Sequence, residues 1–454
     1  MDSVLTLSAT QEARLIRERK ISAEELINAH LRQIERINPT LNAVTELLAD
    51  HARDEARGVD RALARGESVG LLGGVPFSIK DSIEVAGTVC TAATTGRAYA
   101  APSTRDAELV ARLRRAGAIP IAKTNLPDLL FAFESDNLLF GRTNNPYDPS
   151  RTSGGSSGGE AALIAACGSP MGLGSDCAGS VRLPAAFCGI AALKPTSGRL
   201  CRIGHFPPAG GWIEALWQIG PMARYVEDLQ LMMGLLADSY ARPLPEHFQI
   251  AFYTENGIAS PTPEVASVVE AAARELNAEE RRPACLPAAY DLEMKLLGPD
   301  GGDSLREYLV QLGSTRVHPL LTAWLDKLEP YRTDLRGFQN YWAEWDQYRA
   351  SMAEFLERYD AIVCPAYIEP ALPHGASIID RNFRGFSHTM AYNLAGLPVA
   401  VVRCGESASG LPIAVQIASR PGREDVALAI AARLERALGG WKAPALLSDS
   451  AVAR

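Results

Sequence analysis

The chain has 454 residues, of which 47% are hydrophobic and 22% charged, and its formal net charge is −8. That length holds one large core or two to three ordinary ones. The acidic balance, without a dense run of Lys or Arg, excludes the electrostatic footprint of a nucleic-acid or anionic-membrane binder. The opening MDSVLTLSATQEARLIRERK lacks the cationic start and apolar core of a secretory signal. No segment offers the roughly 20 uninterrupted apolar residues of a membrane span, so a cytoplasmic protein with no integral membrane segment is expected. The eight cysteines are scattered without a C-x-x-C pair, which points to buried reduced thiols rather than disulfides.

In chain order, Ser22 followed by Glu25 is a capping box, and Leu26, Ile27, Leu31, Ile34 and Ile37 recur at helical spacing, so an amphipathic helix begins here. A second helix is expected from about 51 to 64. VPFSIKD then alternates Val75, Phe77 and Ile79 on one face with Ser78 and Lys80 on the other, which is strand periodicity. Lysine at the end of such a strand is ordinarily an edge residue whose head group reaches water. A helix from about 106 to 117 and a strand at 119–122 follow, and this alternation is that of an α/β architecture. Leu129, Leu130, Phe131, Phe133, Leu138, Leu139 and Phe140 form an apolar cluster that fits either a core or a cleft wall, and the turn-rich TNNPYDPSRTS comes next.

Beyond the glycine-rich stretch at 154–196, a buried helix is expected from Val226, a strand at 248–253, a helix at 263–276 and a second strand near Cys285. The region from 292 to 359 reads as mainly helical. Its last helix carries Phe338, Trp342, Trp345, Tyr348, Met352 and Phe355 at helical spacing, a stripe that serves as core or as the roof of a substrate cleft. Strands at 361, 397 and 411 and a helix from Glu424 close the chain. Strands separated by long connections and flanked by helices favour one large mixed sheet and one domain spanning 1–454, with a cap-like helical insertion at about 290–360.

Residues 154–196 read GGSSGGEAALIAACGSPMGLGSDCAGSVRLPAAFCGIAALKPT, two serine-bearing glycine turns around small apolar residues. Successive N–H groups in such turns form a nest for an anion or a developing oxyanion. The run from Gly154 to Gly158 fits G-x-S-x-G formally, but that elbow needs a strand directly before it. A P-loop lacks its Gly-Lys-Ser/Thr. The seven histidines have no metal-binding spacing and none pairs with a glycine-flanked serine, so neither a zinc site nor a Ser-His-Asp triad has support. What remains is serine activated by a lysine whose pKa is lowered by burial, and the apolar setting of Lys80 offers that desolvation.

GGSSGGE, GSDCAGSVRLPAAFCGI and ALKPTSGR together resemble the amidase signature family, and the similarity extends through GGVPFSIKD, AGAIPIAKTN, TNNPYDP, GPMAR, NLAGLPVAVV and GLPIAVQI. It covers most of the chain apart from about 285–360. The resemblance implies an α/β fold with a single large twisted mixed sheet flanked by helices. It also implies Ser180 as nucleophile, Ser156 as an intermediate serine behind a cis peptide bond, and Lys80 as base. The N–H groups of Cys177, Ala178, Gly179 and Ser180 are then the oxyanion donors, Asp176 and Arg182 a supporting ion pair, and Ser157 a local hydrogen-bonding residue. On chemistry alone Arg182 could instead bind a substrate carboxylate. Ala178 stands where many members carry a glycine.

The implied activity is hydrolysis of a C–N bond in an apolar or aryl amide, with ester and carbamate (urethane) cleavage accessible to the same chemistry. The implied partners are a small-molecule substrate and a second copy in a homodimer, with no cofactor, metal or nucleic acid. The alternatives are a glutamine amidohydrolase subunit that passes ammonia to a partner, and a non-catalytic small-molecule binder.

Overall fold

In the computed structural model, which describes residues 3–447 except 209, 212 and 241, the first long helix runs Ala23–Leu41 and opens on the expected reciprocal cap. The Ser22 hydroxyl accepts from Glu25 N at 3.0 Å, and the Glu25 carboxylate accepts from Ser22 N at 2.8 Å. Leu26, Ile27, Leu31, Ile34 and Ile37 are all buried. An earlier helix, Ala9–Arg17, uses the same device with Ser8 and Gln11. The helix at Pro263–Leu276 has the expected bounds, with proline at its first turn and Asn277 in the left-handed region at its end.

Eleven strands form one sheet: β1 (Val44–Leu47), β2 (Pro76–Lys80), β3 (Ile119–Thr124), β4 (Met171–Asp176), β5 (Ala191–Lys194), β6 (Gln218–Ala223), β7 (Ile250–Phe252), β8 (Glu279–Glu280), β9 (Ala361–Pro365), β10 (Val399–Glu406) and β11 (Pro412–Ser419). Their order is β1-β3-β2-β4-β6-β5-β10-β11-β9-β7-β8. β2 pairs parallel with both β3 and β4, while β4–β6, β5–β6 and β10–β11 are antiparallel, so the sheet is mixed.

Period-two alternation splits the strand residues between two apolar layers. Phe77, Ile79, Leu193, Ala400 and Val402 join the layer that contains the helices Val226–Leu236 and Glu424–Leu438. Ala192 and Val401 join the opposite layer, with the helices Ala23–Leu41 and Gly158–Ala165. Ser78 and Lys80 alternate with Phe77 and Ile79, which turns them toward this second layer. All five β2 residues are buried, so Lys80 is an interior residue and not an edge lysine reaching water.

Two expectations change. No strand lies near Cys285: Leu286–Ala288 is a short 3₁₀ turn, and the short strand there is Glu279–Glu280 instead. Pro283 and Pro287 flank Cys285 and carry no N–H for a ladder, which explains the shift. β4 and β6 were not anticipated, because each contains glycine. A Cβ at Gly172 would collide with the Glu160 carboxyl, and one at Gly220 with Leu193 O, so these glycines mark close approach rather than a break in the strand. Between β8 and β9, the helices Ala289–Leu297, Asp303–Gln311 and Pro319–Leu328 share an apolar cluster with Phe133, Ala178 and Leu183, and Leu335–Arg358 packs with residues of β9, β10 and β11. Among the described residues no helix is long and apolar enough to cross a membrane.

Candidate active site

The glycine turns sit at strand and helix ends, where side chains can face a cavity. Ser156 and Ser157 immediately precede the helix Gly158–Ala165, and Ser180 lies between the end of β4 and the helix Arg182–Cys188. The peptide bond between Gly155 and Ser156 is cis, as the family resemblance implies. Gly154 has φ +84°, and a Cβ on Gly155 would meet the backbone of residues 132–134, so both positions require glycine. The two serine turns are tied directly: Ser157 N donates to Ser180 O at 3.0 Å.

Lys80 Nζ donates to Ser156 Oγ at 2.6 Å and to Ser175 Oγ at 3.2 Å. Burial, the largest influence, drives the Lys80 ammonium well below its ordinary value, against the opposing pull of Asp176 and, when it is ionised, of Glu160. Ser156 and Ser180 line the same cavity. No hydrogen bond links their hydroxyls among the described residues. Such relay contacts are often loose until substrate is bound.

Asp176 and Arg182 form the expected pair, with both side chains fully buried and the guanidinium Nε and Nη2 each 3.0 Å from a carboxylate oxygen. Arg182 Nη1 also donates to Thr389 O at 2.9 Å and to Gln416 Oε1 at 3.2 Å, and Nη2 to Asn393 Oδ1. With its donors engaged, Arg182 has none to offer a substrate carboxylate. Burial pushes the Asp176 carboxyl up, but the Arg182 guanidinium and the Asn393 amide more than reverse this and hold it below the usual carboxylate range.

Asp176 also organises the turn after it, accepting from Gly179 N at 2.8 Å and from Val181 N at 3.1 Å. Of the four N–H groups named as oxyanion donors, Gly179's is therefore occupied. Those of Cys177, Ala178 and Ser180 have no partner among the described residues. Gly179 needs its glycine, since its φ is +127° and a Cβ would collide with the Thr389 hydroxyl. Ala178 meets no such limit: its methyl lines the cavity and its carbonyl accepts from Thr389 Oγ1 at 2.7 Å. Burial, with Glu293 and Asp176, raises the Cys177 thiol well above its ordinary value, which favours the neutral thiol. Ser157 Oγ donates to Ser175 O at 3.3 Å and accepts from Ser175 N at 3.3 Å, a local bracing role.

Two participants were not legible beforehand. Ser175 shares Lys80 with Ser156, yet in GSDCAGS it looks like a spacer before Asp176. Trp324, from the helix Pro319–Leu328, lies 5.1 Å from Phe133 in edge-on contact and lines the cavity that Ser180 faces. The remaining inner wall is Leu130, Phe131, Phe133, Ile213, Trp217 and Leu297, so part of the cluster at 129–140 is cleft wall. Phe131, Ile213, Trp217 and Leu297 also border a wider outer cavity of about 1620 Å³, reached by Leu305, Tyr308 and Phe338 from the covering helices. In the last helix, Trp345, Tyr348 and Met352 are core while Phe338 reaches the outer cavity, so the aromatic stripe divides between the two roles.

Comparison with known proteins gives this geometry its context. The Amidase family model matches residues 25–428. Human fatty-acid amide hydrolase 2 is 31% identical, covering 98% of this chain and 91% of its own length. A glutamyl-tRNA(Gln) amidotransferase subunit of Thermosynechococcus vestitus is 32% identical, covering 90% and 94%. The solved structure of a 6-aminohexanoate cyclic dimer hydrolase with its substrate superposes with a TM-score of 0.86 at 26% identity, covering 98% of this chain and 100% of that one. With a family model spanning nearly all of the sheet and relatives matched end to end, the chain belongs to the amidase signature family and is an amidase, a hydrolase of amide C–N bonds.

Proposed function

We propose that the chain hydrolyses apolar or aryl amides through a Ser180–Ser156–Lys80 relay and an acyl-enzyme, and that esters and carbamates enter the same chemistry. The observation that carries this reading is the 2.6 Å contact between Lys80 Nζ and Ser156 Oγ, fully buried beside the cavity that Ser180 faces. Neutral Lys80 takes the Ser156 proton as Ser156 takes that of Ser180, whose Oγ attacks the carbonyl carbon. The N–H groups of Cys177, Ala178 and Ser180 hold the oxyanion, and Asp176 keeps their turn in shape through Gly179 and Val181. Lys80 then returns its proton through Ser156 to the leaving nitrogen, the C–N bond breaks, and the amine departs. Water then gives its proton to the same relay as it attacks the acyl carbonyl, the bond to Ser180 Oγ breaks, the carboxylic acid departs and the relay returns the proton to Ser180.

The wall chemistry supports the substrate class. Among the described residues the inner cavity carries no charged side chain, and its polar groups are chiefly the serines of the relay. The ammonium and carboxylate of glutamine would find no counter-ion there, which weighs against the glutamine amidohydrolase reading. The helices at 289–358 act as a cap on the catalytic domain, and the eight free cysteines support a reducing, cytoplasmic setting.

A fluorophosphonate probe tests the assignment. It should label the wild type at Ser180 and fail to label Ser180→Ala, and aryl and fatty amides should be cleaved in preference to glutamine. Undiminished hydrolysis by Ser180→Ala would remove Ser180 as nucleophile.

A further inference from the structure

Glu160 is the third residue of the helix that begins directly after Ser156 and Ser157, and it is wholly buried with no cation within ion-pair distance among the described residues. Its Oε1 accepts from the Ser78 hydroxyl and its Oε2 from Thr124 Oγ1 at 2.7 Å. Ser78 lies two residues before Lys80 on the same face of β2, and Thr124 is the register partner of Lys80 on β3. Gly172, the partner of Ser78 on β4, leaves the space that the carboxyl occupies, for a Cβ there would collide with Oε1. Three strands thus form a cradle for this one side chain, beneath the base and on the helix that carries the relay serine.

We propose that Glu160 is a positioning residue for Lys80, clamping the turn that holds Ser156 onto the strand that holds the base. It does so as a neutral carboxylic acid. An unpaired carboxylate in this interior is costly, and burial pushes Glu160 up to about 8 against the opposing influence of Ser78, Thr124 and Lys80. Protonated below that value, it still accepts from one of the two hydroxyls and gives its own proton to the other, which turns to accept, and it places no anion beneath Lys80 that would keep the amine charged. The other titratable groups around Lys80 stay in one state: Asp176 at the end of β4 remains a carboxylate under Arg182, and His205 from the adjoining loop is kept neutral by burial, Arg202 and Lys80 itself. Glu160 touches neither the cavity nor Ser180, so it acts only through the relay.

This inference rests on Lys80 as the base, and the test separates the two. Rates are normalised to active sites counted by fluorophosphonate end-point titration, which removes any loss of folded protein. Glu160→Ala and Glu160→Asp, the latter one methylene too short to span the cradle, should lower kcat at least tenfold with KM within twofold. Glu160→Gln, which keeps one acceptor and one donor, should rescue kcat to within threefold of the wild type and leave the acid limb of the kcat/KM profile in place. Full kcat in Glu160→Ala or Glu160→Asp would overturn the positioning role. A Gln variant as slow as the others, or an acid limb displaced by about one pH unit or more, would mean that the group works as an anion. If Glu160→Ala does not fold, the Asp and Gln variants decide. Lys80→Ala is assayed alongside: if it keeps its rate the base itself is misassigned, whereas a dead Lys80→Ala with a wild-type Glu160→Ala rejects the clamp alone.

Discussion

The catalytic turns and the helices that cover them are built on opposite principles. From 152 to 182 every residue is buried except Cys177, and the polar groups are committed to one another: Lys80 to Ser156 and Ser175, Asp176 to Arg182, Ser157 to Ser175. In the covering helix Leu335–Arg358 only Trp345, Tyr348, Met352 and Leu356 are buried, and the rest meets solvent or the outer cavity. In the first region the polar side chains complete one another's hydrogen bonds, so replacing one leaves another unpaired. The second is anchored by a few contacts, Trp345 Nε1 donating to Leu394 O at 2.7 Å and the Tyr348 hydroxyl to Ala391 O at 3.1 Å, and turns Phe338 to the outer cavity. On the proposed mechanism, reaction and selectivity should therefore be separable in this molecule.

That separation can be broken by experiment, and the largest effect is expected at the nucleophile. Ser180→Ala should lower kcat by about 10⁴-fold or more, as removal of a relay member does in serine hydrolases. Lys80→Ala should cost about 10²–10⁴-fold, the usual range for a general base. The pH profile sharpens this point. Because burial lowers Lys80 well below an ordinary lysine, the base is neutral where a solvated lysine is charged, and the rate should fall on acidification as Lys80 takes up a proton. An acid limb that survives unchanged in residual Lys80→Ala activity would place that titration on another group.

A smaller effect on rate but a clear one on stability is expected at the ion pair. Arg182→Leu leaves Asp176 buried without its cation and should destabilise the fold by about 3–5 kcal/mol in denaturant titrations. The folded-state pKa of Asp176 is depressed, so its stabilising contribution is complete at neutral pH and declines as pH falls below the ordinary carboxylate range. Arg182→Leu should flatten that acid dependence. The smallest effect belongs to the cover: Phe338→Ala at the outer cavity should raise KM for an aryl amide by about fivefold, roughly 1 kcal/mol, with kcat nearly unchanged. A large fall in kcat there would show that the cover takes part in the chemistry.

Much of this was legible in the residues because it depends on local rules. A capping box needs only Ser22 and Glu25, and the alternation in VPFSIKD places Ser78 and Lys80 on one face whatever the strand packs against. Other parts were hidden because glycine reads as a breaker. β4 carries Ser175, the second partner of Lys80, yet Gly172 and Gly174 disguise it as loop. Their purpose appears only when the Glu160 carboxyl and the Ser157 side chain are seen filling the space. Trp324 was illegible for another reason: it reaches the cavity from a helix well over a hundred residues beyond Ser180, and no periodicity encodes that contact.

The sequence by itself determined which residues could do the chemistry: two glycine-flanked serines at 156 and 180, a lysine ending an apolar strand, and an Asp–Arg pair bracketing the nucleophile. Tertiary structure decided that they meet. Lys80 meets Ser156 across 76 residues of chain only because parallel pairing of β2 with β4 and docking of the helix after Ser157 bring them to 2.6 Å. Burial, a property of the whole fold, then lowers the lysine toward the neutral form that the proposed relay requires.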